Sequence, residues 1–129
     1  ASWWFCIHTV MESVMNYFKQ SEECCPCCGS GGFLPDFRDK LNKAREIADI
    51  PFIINSGFRC PSHNAEVGGS QTSSHMIGCA ADIKCTDGWS RYKILDALIR
   101  VGFNRIGIGK AFIHVDNDTQ KPAGIVWLY

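Results

Sequence analysis

Between Pro35 and Ala48, apolar Phe37, Leu41, Ala44 and Ala48 recur at helical spacing among charged neighbours. That spacing gathers them on one face of a helix, and a proline at the head of the run suits its first turn. Pro51 closes the segment, and Phe52-Ile53-Ile54-Asn55-Ser56 reads as a buried strand. Gly57 to Gly69 is loop-like, with one helical turn around His63 to Val67. Ala80 to Cys85 reads as a second strand. A second helix is expected over about Ser90 to Val101, with Tyr92, Ile94, Leu95, Leu98 and Ile99 on its core side. Gly102 ends it as a C-terminal glycine does.

Three short strands follow: Arg105 to Gly109, Phe112 to Asp116 and Ile125 to Leu128. Their short connections, with turn residues at Asp116-Asn117-Asp118 and Lys121-Pro122-Ala123-Gly124, predict an antiparallel meander. Helices and strands mix without regular alternation. The expected class is α+β, a small antiparallel sheet with flanking helices.

A chain of 129 residues is expected to form one domain, here residues 15–129. Residues 1–14 form an extension, expected to be dispensable for catalysis. Its apolar run, Trp3 to Met11, is shorter than the roughly 20 residues that span a bilayer. It also lacks the basic leader and small-residue cleavage site of a signal peptide. Thirteen basic residues balance thirteen acidic ones, with no long run of either sign. That balance argues against a nucleic-acid partner and against a polybasic membrane anchor. A monomer is expected.

His75, Asp82 and His114 carry the candidate chemistry. Two imidazoles and a carboxylate suit a catalytic zinc, because they leave the fourth tetrahedral position for water. Gly78 permits a bend that folds His75 back beside Asp82. Along a strand, alternation places Phe112, His114 and Asp116 on one face and Ile113 and Val115 on the other. Spacing alone leaves coincidence open.

Eight cysteines is a high count, and four of them crowd into Cys24-Cys25-Pro26-Cys27-Cys28. Adjacent cysteines rarely bridge each other, because a disulfide needs a specific separation and direction. Cys24-x-x-Cys27 and Cys25-x-x-Cys28 both have zinc-knuckle spacing. A second pair would have to come from Cys6, Cys60, Cys79 or Cys85. A second, structural zinc, disulfides and free buried thiols all stay open.

The whole string of motifs is more specific than any one of them. Ser56-Gly57-Phe58-Arg59, His63-Asn64, Val67-Gly68-Gly69, Ser73-x-His75-x-x-Gly78-x-Ala80-x-Asp82-Ile83 and Phe112-Ile113-His114-Val115-Asp116 occur in that order. The chain resembles the zinc D-alanyl-D-alanine carboxypeptidase family of peptidoglycan peptidases over about Tyr17 to Tyr129. That family includes bacterial carboxypeptidases, murein endopeptidases and phage endolysins, and shares its fold with the Hedgehog signalling domain.

The resemblance implies a Hedgehog/DD-peptidase-like fold and one catalytic zinc on His75, Asp82 and His114. It implies that Arg59 contacts substrate and helps stabilise the oxyanion, a task suited to a permanently charged fork of donors. Ser73 becomes a candidate substrate contact, although a local turn hydrogen bond explains it equally well; His63 is a further candidate, as substrate contact or base, with a loop hydrogen bond as its more ordinary role. Many members carry an acidic residue three positions before the last histidine ligand, where this chain has Ala111. The member type with Phe-Ile-His-Val-Asp offers Asp116 as general base, with an orienting role for Asp116 as the alternative. The implied substrate is the peptidoglycan stem peptide. Because the sequence shows no signal peptide or wall-binding module, the expected setting is synthesis in the cytoplasm and action at the cell wall, as in phage or prophage lysis. A zinc-bearing binding module that has lost catalysis is the competing reading, and Ala111 keeps it open.

Overall fold

The computed structural model describes residues 15–129. The expectations about Trp3 to Met11, Cys6 and the dispensable extension fall outside the described residues. The elements run α1 (Gln20–Glu23), α2 (Pro35–Ala48), β1 (Ile54–Ser56), α3 (Pro61–Glu66), a 3-10 turn (Ser74–Ile77), β2 (Ala80–Lys84), α4 (Gly88–Arg100), β3 (Arg105–Ile108), β4 (Phe112–Asp116) and β5 (Ile125–Leu128). This is an α+β arrangement around one five-stranded sheet of order β1-β2-β4-β3-β5.

Helix α2 forms where the apolar spacing predicts it, and Phe37, Leu41, Ala44 and Ala48 are all buried. It packs against α4. On α4 the core side is Ile94, Ala97 and Leu98. Tyr92 and Ile99, expected on that side, are exposed. Helical phase explains the correction. Ile94, Ala97 and Leu98 make a narrow stripe of i, i+3 and i+4 positions, and Tyr92 and Ile99 lie off it. Gly102 follows the helix at φ +96 and donates its N–H to the Ile99 carbonyl at 3.0 Å.

The sheet differs from the expected meander at one edge. β1–β2, β2–β4 and β3–β4 pair antiparallel. β5 does not return beside β4. It pairs in parallel with β3 on the far side, Gly107 opposite Trp127. The reason is that both edges of β4 are already taken, by β2 and β3, so the last strand finds its free hydrogen bonds on β3. Short connections made an adjacent return the simpler expectation, but the partners of a strand are fixed by its free edges.

Strand alternation divides the sheet into an apolar and a polar face. Ile83, Ile106, Ile113 and Val115 face the helices and join Phe33, Phe37, Leu41, Ile94, Leu98 and Phe103 in the hydrophobic core. The opposite face carries Asp82, Gly107, His114 and Asp116. In the register Asp82 stands directly across from His114, and Ala80 across from Asp116. Among the described residues no helix is long and apolar enough to cross a membrane.

Candidate metal centre

His75 arrives from the 3-10 turn that precedes β2. Ser73 opens that turn, and its side-chain oxygen accepts the His75 backbone N–H at 3.2 Å. Gly78 closes it at φ +78, and a Cβ there would lie 2.5 Å from the Gly32 carbonyl oxygen. Both the left-handed backbone and the close approach require glycine at this position. The bend expected from the sequence is therefore the device that turns His75 back toward β2.

The imidazole of His75 is pinned from behind. Its Nδ1 lies 2.8 Å from the Gly57 carbonyl oxygen, which can only accept, so Nδ1 carries a proton. Nε2 is then free to offer a lone pair in the neutral ring. It is buried, has no hydrogen-bond partner, and stands 3.3 Å from Asp82 Oδ1. A buried ring nitrogen without a partner costs free energy in an ordinary core. It is what a metal ligand looks like without its metal.

Asp82 and His114 are cross-strand neighbours, and His114 Nδ1 lies 2.9 Å from Asp82 Oδ1. Ligand atoms of His75, Asp82 and His114 all lie within 4.8 Å of one another. On the other side of its ring, His114 Nε2 meets Asp116 Oδ2 at 2.7 Å. Asp116 Oδ1 accepts from Arg105 Nε at 2.7 Å and from the Asp118 backbone N–H at 3.1 Å. Arg105 also donates to the Pro122 carbonyl. Asp116 is almost fully buried behind the His114 ring, with both oxygens engaged. This placement differs from that expected of a general base facing the metal. Alternation does put Asp116 on the same face as His114, but the imidazole stands between it and the ligand cluster.

The electrostatics follow from these contacts. Burial works against a charge on His114, but its hydrogen bonds to Asp116 and Asp82, and their negative charges, raise its pKa above the ordinary value. Burial alone would push the Asp82 carboxyl up, yet the hydrogen bond with His114 and the closeness of both imidazoles hold it well below the usual carboxylate range. Asp116 is likewise lowered, with His114, Arg105 and the Asp118 N–H outweighing burial. The carboxylates on both sides of the ring thus favour the protonated form of His114. Metal binding at Nδ1 must displace the proton there. Zinc affinity should weaken as pH falls through the raised His114 pKa, and uptake below that pKa should release a proton. Calorimetric titration in two buffers of different ionisation heat measures that release directly. Equal heats in both would refute the protonated state.

Arg59 sits beside the cluster. Its Nε donates to Ser56 Oγ at 2.9 Å, Nη1 to Asn64 Oδ1 at 3.2 Å and Nη2 to Asp82 Oδ2 at 3.3 Å. Three anchors fix the guanidinium plane and leave other N–H groups of the fork free for a ligand. Arg59, His75, Asp82 and His114 border a cleft of ≈ 370 Å³, which is lined also by Ser70, Ser73, Lys121, Phe112, Trp127 and Tyr129. Trp127 stacks near His114, ring centroids 5.5 Å apart. Gly107, between them on β3, makes room for this wall: a Cβ there would lie 2.5–2.7 Å from the Tyr129 and Trp127 rings.

The structure thus brings His75, Asp82, His114, Arg59 and Ser73 to one cleft, with Asp116 behind His114. Ser73 serves there as the cap of the 3-10 turn. His63 is not among the cleft residues. It lies on α3, 3.9 Å from Glu66. Asn64 stands in the motif string without an assigned role, and nothing in the sequence analysis singles out Arg105, Trp127 or Tyr129. Arg105 had a signal, a charge at the head of an otherwise apolar strand. Trp127 and Tyr129 had none until β5 was placed beside β3.

Two imidazoles and a carboxylate converging in a polar cleft, with an anchored arginine alongside, form a group that could hold a metal ion, with the donor types that metallohydrolases use. Residues 16–116 match the family Peptidase M15, and the chain belongs to that family. A stretch of 45 residues is also 44% identical to the zinc D-Ala-D-Ala carboxypeptidase of Streptomyces albus G. That stretch covers 34% of this chain and 18% of that protein's length.

Proposed function

We propose that this chain is a zinc peptidase that hydrolyses a peptide bond in peptidoglycan stem peptides. The observation that carries the reading is the unpartnered, buried Nε2 of His75, aimed at Asp82 and His114 on the polar face of the sheet. Membership of the peptidase M15 family and the named activity of the Streptomyces relative support the substrate class. Zinc, when bound, would supply a Lewis acid for the scissile carbonyl and activate water for attack.

The chain's own residues divide the remaining work. The Gly57 carbonyl holds His75 in the tautomer that presents Nε2. Asp116 holds His114 by Nε2 and so presents Nδ1 to the metal side. We assign Asp116 to positioning rather than to proton transfer, because its oxygens are spent on His114, Arg105 and the Asp118 N–H. The remaining Arg59 donors suit a substrate carboxylate or a developing oxyanion. Phe112, Trp127 and Tyr129 form an apolar wall that limits water at the metal side of the cleft.

A second reading has a specific observation in its favour. Among the described residues lining the cleft, the only carboxylates are Asp82 and Asp116, both committed, and Ala111 offers none. That arrangement suits a zinc-bearing module that binds a cell-wall peptide without cutting it. Mass spectrometry of purified peptidoglycan fragments, incubated with zinc-loaded protein, decides between them. Loss of one alanine or a split stem peptide is expected. Unchanged fragments, with zinc bound at the His–Asp–His site, would establish the binding module instead.

A further inference from the structure

The cysteine knuckle lies well away from the histidine cluster in sequence, and the proposed catalysis does not use it. Cys25 Sγ stands 3.4 Å from Cys27 Sγ and 3.6 Å from Cys60 Sγ, and Cys27 Sγ stands 3.3 Å from Cys60 Sγ. Cys28 completes the group, with all four sulfurs within 4.8 Å of one another. We infer that Cys25, Cys27, Cys28 and Cys60 hold a structural, thiophilic divalent ion of the zinc type, independent of the His75–Asp82–His114 centre.

Distance separates this from a disulfide cluster. A tetrahedral zinc with Zn–S bonds of about 2.3 Å spaces its sulfurs about 3.8 Å apart. A disulfide draws one pair to about 2.05 Å and leaves the others behind. Here three sulfurs form a near-equilateral triangle with a fourth close by. Two of the four are adjacent in sequence, Cys27 and Cys28, and such neighbours rarely bridge.

Local backbone shapes the knuckle for this task. The Cys25 N–H donates to the Ser30 carbonyl at 2.8 Å, and the Gly29 N–H to the Cys25 carbonyl at 2.7 Å, with Gly29 at φ +71. The loop therefore curls back on itself and turns its sulfurs to one side. Cys60 comes from the far segment, and its sulfur accepts the His63 backbone N–H at 3.4 Å. An all-sulfur set with no place for water makes a closed, structural site rather than a catalytic one.

The position gives the site a purpose. Cys60 directly follows Arg59, whose guanidinium touches Asp82. An ion on the four sulfurs would tie the knuckle to the segment that carries Arg59. The cleft would then keep its arginine in place through a bond made outside the cleft.

The test measures metal in the whole chain and in a His75→Ala/His114→Ala chain, so that it does not depend on the proposed peptidase activity. Two ions per chain are expected in the first and one in the second. A first value of one, with the second also one, would still support the sulfur site and count against the histidine site. With cobalt as the probe, the double histidine variant should show intense near-ultraviolet thiolate-to-cobalt absorption. Cys24→Ser should keep that band and Cys60→Ser should lose it. Should Cys60→Ser fail to fold, a mercurial titration of the unsubstituted chain replaces it, with zinc leaving in step with reaction of four thiols. No metal in the double histidine variant, no cobalt band, or a non-reduced mass showing a disulfide among these four cysteines would overturn the proposal.

Discussion

Replacing His114 with alanine is expected to abolish peptide hydrolysis and to remove the ion from the His–Asp–His centre. Three ligands converge there, and His114 stands between the other two and Asp116. Its loss leaves two ligands, too few for the three protein ligands that a catalytic zinc site uses. It also strips Asp82 of the partner at 2.9 Å that holds it in place. Losing an outer partner of a ligand alone costs about 10–100-fold in affinity or activity. Loss of the ligand itself should exceed that range and bring turnover to background. The checks are metal content, hydrolysis of purified stem peptides, and circular dichroism to establish that the chain remains folded. Residual activity at the unsubstituted level would refute the assignment.

Asp116→Ala should produce the second-largest effect, by two routes. It releases Nε2 of His114, which should weaken zinc binding by about 10–100-fold. It also leaves Arg105 buried without its carboxylate partner at 2.7 Å. Breaking a buried ion pair from one side destabilises by about 3–5 kcal/mol. Urea denaturation measures the stability loss, and chelator competition measures the zinc affinity. Asp116→Asn keeps an oxygen acceptor and should lie between the alanine variant and the unsubstituted chain on both scales. A collapsed kcat with unchanged zinc affinity would instead make Asp116 the proton acceptor and return it to the role expected from the sequence.

Local pattern carried most of what was legible. The α2 helix, β2 and β4 rest on signals within a few residues, apolar spacing and strand alternation, whereas the ligand trio rested on the ordered string of motifs, because its spacing alone left coincidence open. His114 and Asp116 sharing a face followed from alternation alone. What alternation could not say was which side of the imidazole Asp116 would occupy, because that depends on Arg105 and the Asp118 N–H holding it there. β5 illustrates the same limit. Its residues read as a strand, but its partner was decided by which edge of the sheet remained free. The cleft wall of Trp127 and Tyr129 was hidden for that reason. Tyr92 and Ile99 were misplaced because an apolar residue near a helix stripe carries no mark of its phase. The cysteines announced metal spacing, whereas the choice of Cys60 over Cys79 or Cys85 required the fold.

Asp82 faces His114 in the ladder between β2 and β4. A one-residue slip of either strand would turn its entire set of side chains to the opposite face. Ile83 or Ile113 would then stand where a ligand belongs. A misthreaded sheet therefore has no way to capture the ion, and a correctly threaded one gains stability from it by mass action. Metal supplied during refolding would in this way act as a proofreader of strand alignment, raising the yield of correctly aligned chains as well as arming the cleft.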